Sequence, residues 1–263
     1  VPIESSDVGY EIPGGLYLPD AQRLRNLVAI PVDVRLDTAS TNGDLLDGPG
    51  APGCVLALSQ RAGRGRRGRS WVGAPGRTLM LSVGIGIERP LHQLSGLSVA
   101  VGVALCHYIR GLGVPAQLKW PNDLWVGQKK LAGLLTELKG DVLDHSFVVT
   151  GIGLNLASLS GFDEDVACIS DTLPSGWSDE QTAGLIDAMV KALEDYPGEL
   201  TARFYERFNA VDALQGQEVE VTSHNGRIVG TASGLDSNGQ LQVINEQGLH
   251  AVSAGDVSVR PRS

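Results

Sequence analysis

Apolar positions in the first part of the chain fall in short runs bounded by turn residues. Residues 28–36 alternate and are rich in Val and Ile, residues 55–58 form a short apolar run, and residues 78–87 form a longer one; each predicts a strand. Between the last two, residues 61–77 carry Arg and Gly with no periodicity and predict a loop, so the unit reads strand-loop-strand. Leu94, Leu97, Val101, Leu105 and Tyr108 then recur every three or four residues. That spacing predicts an amphipathic helix covering one face of the sheet, with Gly96 and Gly102 allowing close packing.

Residues 119–155 predict further short strands, with Gly127-Gln128 as a hairpin turn and residues 147–150 as a buried strand. Residues 161–174 are polar and irregular. Ser178 is placed to cap a helix over 179–193, whose first turn holds Asp179 and Glu180, favourable to the helix dipole. A second helix is predicted over 200–208. From 214 onward, short alternating runs at 218–222, 227–232, 241–244 and 250–252 are separated by Asn225-Gly226, Asn238-Gly239 and Gln247-Gly248, a meander of hairpins that predicts a small β-barrel. The expected organisation is a segment and linker over 1–27, a larger domain over 28–212 and the small β domain over 213–263. No internal repeat of 20 to 50 residues is evident.

Composition narrows the class. The 263 residues are 42% hydrophobic and 19% charged, enough for a full core without a disulfide or metal. The longest mostly apolar stretch, 94–109, is interrupted by Ser, Gly and His and falls short of the ~20 residues of a membrane span, so the expectation is a soluble protein with no membrane partner. Cys54, Cys106 and Cys168 form no C-x-x-C pair and are odd in number, and no secretion signal opens the chain; together these predict the cytoplasm.

The net charge of −9, from 21 basic and 30 acidic residues, argues against a surface made for nucleic acid. Yet Arg61, Arg64, Arg66, Arg67 and Arg69 lie within nine residues, and without them 16 basic side chains face 30 acidic ones. Local positive charge on an acidic body marks a site.

Gly63 to Gly68, GRGRRG, formally satisfies G-x-G-x-x-G after a strand, but Gly73, Pro75, Gly76 and another strand follow it instead of the helix that would hold a pyrophosphate. A dinucleotide fingerprint is therefore rejected, and no G-x-x-x-x-G-K-[ST] is present. Glycines let backbone approach a ligand and guanidinium forks bind phosphate or carboxylate, so the segment suits an anion-binding lid; a solvated basic loop or an RNA patch is the alternative.

Several ordered motifs then bear on that choice. Lys119-Trp120-Pro121-Asn122-Asp123 precedes Lys129-Lys130-Leu131-Ala132-Gly133-Leu134-Leu135. Ser40-Thr41-Asn42 follows the first strand, Gln60 precedes the arginine loop and Trp71 follows it. Gly151-Ile152-Gly153-Leu154-Asn155-Leu156 and a closing Ala254-Gly255-Asp256-Val257 with Arg260 complete the set. Together they resemble the biotin protein ligase family across nearly the whole chain. The resemblance implies an α+β fold: a mixed β-sheet with helices packed on one side, related to class II aminoacyl-tRNA synthetases, followed by a small SH3-like β-barrel.

It further implies a reaction in which biotin and ATP form biotinyl-5′-AMP with release of pyrophosphate, and a lysine of a biotin carboxyl carrier protein, of acetyl-CoA carboxylase or a related biotin enzyme, takes the biotinyl group. The biotin site it implies comprises Ser40, Thr41, Asn42, Gln60, Gly63, Arg64, Gly65, Arg66, Lys130, Gly133, Gly151 and Gly153. Short neutral side chains suit the ureido ring, whose polar groups need partners when buried. Taken alone, Ser-Thr-Asn is a common helix N-cap and each glycine a common strand bulge or turn.

For ATP the resemblance implies Arg66, Arg67, Arg69, Trp71, Lys119, Asn122, Lys130, Asn155 and Arg260, with Arg66, Lys130 and Asp123 as catalytic residues. Cations there offset repulsion between a carboxylate and the α-phosphate. Asp123 is the candidate for the Mg²⁺ that accompanies ATP, against an Asx-turn after Pro121. Asn155 has the donor and acceptor to read adenine; Trp71 as a core residue and Arg260 as a surface arginine stay open. Residues 161–171 offer no aromatic that aligns for stacking on adenine, although Phe162 stands at their start and Trp177 follows them.

Residues 1–19 resemble the end of a wing and a linker without DNA-reading helices, so no DNA partner is expected. Homodimers occur in the family, which leaves monomer and dimer both open. A lipoate or octanoate ligase on the same fold and an RNA-binding module are the rival readings.

Overall fold

Seven strands pair into one mixed sheet in this computed structural model, which describes residues 4–6, 9–11, 16–140, 145–158, 166–198, 200–223, 226–254 and 258–261. A hairpin of β1 (Glu4–Ser6) and β2 (Gly9–Glu11) and helix α1 (Ala21–Leu27) come first; the Asp20 side chain caps α1, accepting from the N–H of Gln22 and Arg23. The sheet comprises β3 (Val32–Arg35), β4 (Gly53–Ala57), β5 (Thr78–Ile87), β6 (Ala116–Lys119), β7 (Asp123–Val126), β8 (Lys129–Gly140) and β9 (Ser146–Asn155). Their spatial order is β3-β4-β5-β9-β8-β7-β6. β3 and β4 are parallel; the other neighbouring pairs are antiparallel.

The two faces of this sheet differ. On β5, Leu79, Leu81, Val83 and Ile85 belong to the main apolar core, while Met80 and Ser82, pointing the other way, do not. The core face is covered by α3 (Leu97–Gly111) and α4 (Asp179–Glu194), with α1 packed against α4. The short α2 (Thr41–Leu46) lies against β4, β5 and β9 on the opposite face, the side on which the motifs gather. Helix α3 buries Leu97, Val99, Val101, Gly102, Val103, Leu105, Cys106 and Ile109 between the sheet and α4. A Cβ at Gly102 would come within 2.8 Å of Leu118, and one at Gly184 of α4 would come 2.5 Å from the Tyr108 hydroxyl, so these two glycines set how closely the layers approach. Fully burying a side chain such as Leu97 or Leu105 contributes about 1.5–3 kcal/mol.

Ser178 caps α4 as expected, in a reciprocal box with Gln181. Other expectations need adjustment. The first strand begins at Val32 rather than at 28, because Pro31 has no N–H to give a ladder. β8 and β9 run 12 and 10 residues rather than forming short strands: Gly133, Gly151 and Gly153 stay within the ladders. The segment Leu91–Gly111 is 21 residues long and its most apolar 18-residue stretch has a mean hydropathy of 1.3, so it does meet the length and composition of a membrane span that 94–109 fell short of; half of that stretch is buried in this core.

Helix α5 (Ala202–Asn209) leads to the second sheet: β10 (Glu218–Ser223), β11 (Gly226–Leu235), β12 (Leu241–Asn245), β13 (Gly248–Val252) and β14 (Ser258–Pro261). Its order is β13-β12-β11-β10-β14, antiparallel throughout, with a register shift in β11 between Ala232 and Leu235. Among the described residues no ladder joins β13 to β14, so the expected barrel is an open five-stranded sheet in its pairing. The two sheets meet at β6: Leu118 N–H donates to Val211 O at 2.7 Å, Ala213 N–H donates to Leu118 O at 3.0 Å, and Trp120 Nε1 donates to Gly239 O at 2.9 Å.

Candidate active site

A cavity of about 200 Å³ opens on the sheet face opposite α3 and α4. Its floor follows from strand register. Gly151 of β9 lies beside Ser82 of β5 and Leu135 of β8, and Gly153 lies beside Met80 and Gly133. Glycines at these positions leave a trough without side chains. Two other side chains enter it: the Trp71 indole rests on Gly153, within 3.1 Å of a Cβ placed at Gly133, and the Asn42 carboxamide rests on Gly151. The backbone expected to approach a ligand is thus in contact with these side chains.

One end of the cavity is neutral and polar. Ser40 is the N-cap of α2, its hydroxyl accepting from Gly43 N–H at 3.3 Å, while Thr41 and Asn42 in the first turn are buried and line the cavity. The cap reading and the site reading of this tripeptide both hold, because the cap turns the next two side chains inward. Gln60 Oε1 accepts from Thr41 N–H at 2.8 Å. Ser82 Oγ lies 2.7 Å from Thr41 Oγ1 and 2.5 Å from Asn42 Oδ1. Asn42 Nδ2 donates to Leu135 O at 3.1 Å and to Glu137 Oε2 at 2.8 Å.

The arginine loop is folded back on itself. Trp71 N–H donates to Gly63 O at 2.9 Å, Gly65 N–H donates to Arg69 O at 2.7 Å, and a 3₁₀ turn over Arg66–Gly68 forms the tip. Gly63 is required there, since a Cβ would meet Trp71 O at 2.5 Å. Arg67 holds φ 60, a left-handed conformation that costs a non-glycine residue about 1–2 kcal/mol. Arg64 Nη2 pairs with Glu137 Oε2 at 3.1 Å, and Arg66 Nη1 donates to Asn122 Oδ1 at 3.0 Å. Asn122 in turn donates to Leu134 O at 2.7 Å, so it braces Arg66 against β8.

The other end is cationic. Lys130 Nζ pairs with Asp123 Oδ1 at 2.8 Å and lies 5.4 Å from the Trp71 ring. Lys119 Nζ lies 4.6 Å over the Trp125 ring; burial holds its pKa below the ordinary lysine range, with Lys130, Arg260 and Arg69 adding to the effect and Asp123 opposing it. Among the described residues no ion pair engages Arg67 or Arg69. No group of three His, Cys, Asp or Glu side chains could hold a metal among the described residues. Asp123 alone, with Oδ1 held by Lys130, suits an ion carried chiefly by phosphate oxygens.

Of the residues picked from the motifs, most line this one cavity. Gly63 lies beneath the loop, packed against Trp71. Asn155 lies outside the lining, at the end of β9, with its Nδ2 donating to Lys130 O at 3.3 Å. Arg260 is exposed on the edge strand β14, outside the lining but close enough to act on Lys119. Trp177 is in the core, its Nε1 donating to Thr182 Oγ1 at 2.8 Å, and so does not serve the cavity. Phe162, most of the loop around it, and Gly255-Asp256-Val257 lie outside the described residues.

Two participants escaped the sequence reading. Ser82 is a fully buried hydroxyl in an otherwise apolar strand, a signal that it needed partners. Glu137 shares the face of Gly133 and Leu135 through the two-residue strand period, which extending the motif by one pair would have reached.

Comparison with known proteins bears on this geometry. The biotin/lipoate A/B protein ligase family model matches residues 34–155, and that of the biotin protein ligase C terminal domain matches residues 215–260. The chain is 32% identical over 274 residues to the bifunctional ligase/repressor BirA of Salmonella typhimurium, covering 96% of this chain and 82% of that protein. It is 33% identical over 242 residues to the biotin--[acetyl-CoA-carboxylase] ligase of Mycobacterium tuberculosis, covering 86% and 88%. The biotin protein ligase from Aquifex aeolicus, solved in complex with biotin and ATP, matches with a TM-score of 0.75 at 22% identity over 88% of this chain and 99% of that one, a likeness of fold.

Proposed function

The chain belongs to the biotin protein ligase family, and on that premise we propose how its cavity divides the work between two half-reactions. The chain is a ligase that activates biotin with ATP to biotinyl-5′-AMP and transfers the biotinyl group to a lysine of a biotin carboxyl carrier protein. The observation that carries the reading of the site is the asymmetry of one cavity: neutral side chains held in place by hydrogen bonds at the Asn42 end and clustered cations at the Lys130 end.

In this reading Ser40, Thr41, Asn42 and Gln60 take the ureido ring, whose N–H and C=O groups need fixed partners away from water. The glycine trough and the Trp71 indole hold the apolar part of biotin. Arg66 and Lys130 stand where a carboxylate and the α-phosphate must meet and stabilise charge developing at phosphorus. Arg67, Arg69 and Lys119 take the remaining phosphates, with Arg260 closing from the second sheet. Asp123 keeps Lys130 in place. Its remaining oxygen would be a ligand to Mg²⁺, which supplies further neutralisation of phosphate charge when bound.

Acetyl-CoA carboxylase's carrier domain is the acceptor we propose, as the name of the Mycobacterium tuberculosis relative indicates for that enzyme. Three buried free thiols support a reducing, cytoplasmic setting. The test is biotin-dependent formation of an acyl-adenylate from labelled ATP and Mg²⁺, with lipoate and octanoate in parallel. Adenylate with biotin alone supports the reading; equal yield with lipoate or none with any acid refutes it.

A further inference from the structure

The biotin end of the cavity depends on a carboxylate that does not line it. Glu137 stands on the cavity face of β8 two residues beyond Leu135, and one of its oxygens, Oε2, accepts from Asn42 Nδ2 at 2.8 Å and Arg64 Nη2 at 3.1 Å. These two donors come from different elements, the first turn of α2 and the ascending limb of the arginine loop, and both line the cavity.

We propose that Glu137 is the positioning residue that sets the orientation of the Asn42 carboxamide and ties the arginine loop to it, so that head-group recognition and loop position are established together. The inference rests on the assignment of Asn42 and Arg64 to the biotin end. A carboxamide has two orientations that differ by exchange of its oxygen and nitrogen. With Leu135 O and Glu137 Oε2 both on one side, the nitrogen must face β8 and the oxygen must face Ser82 Oγ, 2.5 Å away. A carboxylate is acceptor-only, so it enforces this choice where a neutral amide, able to donate, does not. Its charge also strengthens both bonds and attracts Arg64. Lys130 has its own carboxylate partner, Asp123, at the other end, and Arg66 is held by Asn122 at 3.0 Å rather than by Glu137. The consequence of the Glu137 network should therefore be felt in biotin affinity and not in the chemical step.

The experiment compares Glu137→Gln and Glu137→Asp with the parent chain by three readouts: biotin Kd by titration calorimetry, the single-turnover rate of adenylate formation at saturating biotin and ATP, and Tm. Weakening two charge-assisted bonds to neutral ones predicts a biotin Kd raised about tenfold in Glu137→Gln. Glu137→Asp, shorter by one methylene, keeps the charge but cannot reach both donors, and is expected to lose at least as much. The saturated rate should stay within about twofold and Tm within about 2 °C. In an Asn42→Ala background, Glu137→Gln should add less than about twofold, because the group it positions is gone. An unchanged Kd in Glu137→Gln would overturn the proposal. So would a full tenfold effect retained without Asn42, or a parallel fall in affinity, rate and Tm, which marks a merely structural role. If the parent chain binds no biotin, the assignment of the site fails, an outcome separate from each of these.

Discussion

Asp212 offers a quantitative test of how the two sheets are joined. It sits in the connection between them, beside Leu118, and is 8% exposed. Its Oδ1 accepts from Leu214 N–H at 2.8 Å, while Oδ2 is buried without a partner among the described residues. Burial pushes its pKa up to about 6 from an ordinary 3.8, with the Leu214 bond acting in the opposite direction. Between about pH 4 and 6 the folded chain therefore keeps a proton that the unfolded chain has released, and stability falls as pH rises through that window. Above it the full penalty stands, about 3 kcal/mol from the shift itself, an upper figure that relaxation reduces. Replacing Asp212 with Asn keeps an acceptor for Leu214 and removes the titration, at the cost of an amide donor that needs a partner, about 1–3 kcal/mol at every pH. The difference in unfolding free energy between the variant and the parent chain should then move in the variant's favour by about 2–3 kcal/mol from pH 4 to pH 7. Urea unfolding of both chains across that range gives the curve directly. Parallel stability profiles would refute the reasoning, since only the Asp212 titration makes the difference between the two chains depend on pH.

Three further outcomes follow from the site. Lys130→Ala and Arg66→Ala should each lower adenylate formation about 10²–10³-fold with little change in unfolding, since each removes charge rather than core; near-parent yield from labelled ATP would remove that role. Gly153→Ala places a methyl where the Trp71 indole lies, so it should cost about 1–3 kcal/mol and shift tryptophan fluorescence; an unchanged spectrum and Tm would mean the indole does not rest there. Cleavage by trypsin at the exposed Arg67 and Arg69 should slow when biotin and ATP are both present, and equal cleavage rates would argue against closure of the loop.

Sequence by itself determined the elements whose periodicity is strong and the identity of the residues that meet. Ser178 as a cap, the turn at Gly127-Gln128, the β5 run and the four hairpin runs of the second sheet are local matters of hydrogen bonding and alternation, and the chain shows them without its neighbours. The ordered motifs likewise identified most of the cavity's lining from residue type and order alone. Tertiary structure decided what depends on partners distant in the chain. Gly151 and Gly153 looked like interruptions of a strand; they continue it because side chains 80 to 110 residues away, Trp71 and Asn42, occupy the space that a Cβ would fill. Trp177 flanks the irregular loop in sequence, yet it lies in the core with its Nε1 on Thr182 Oγ1, and a residue type cannot announce which partner has taken its hydrogen bond. Glu137 was invisible for the converse reason: a lone glutamate at the end of a motif acquires meaning only when Asn42 and Arg64, 95 and 73 residues earlier, converge on one of its oxygens.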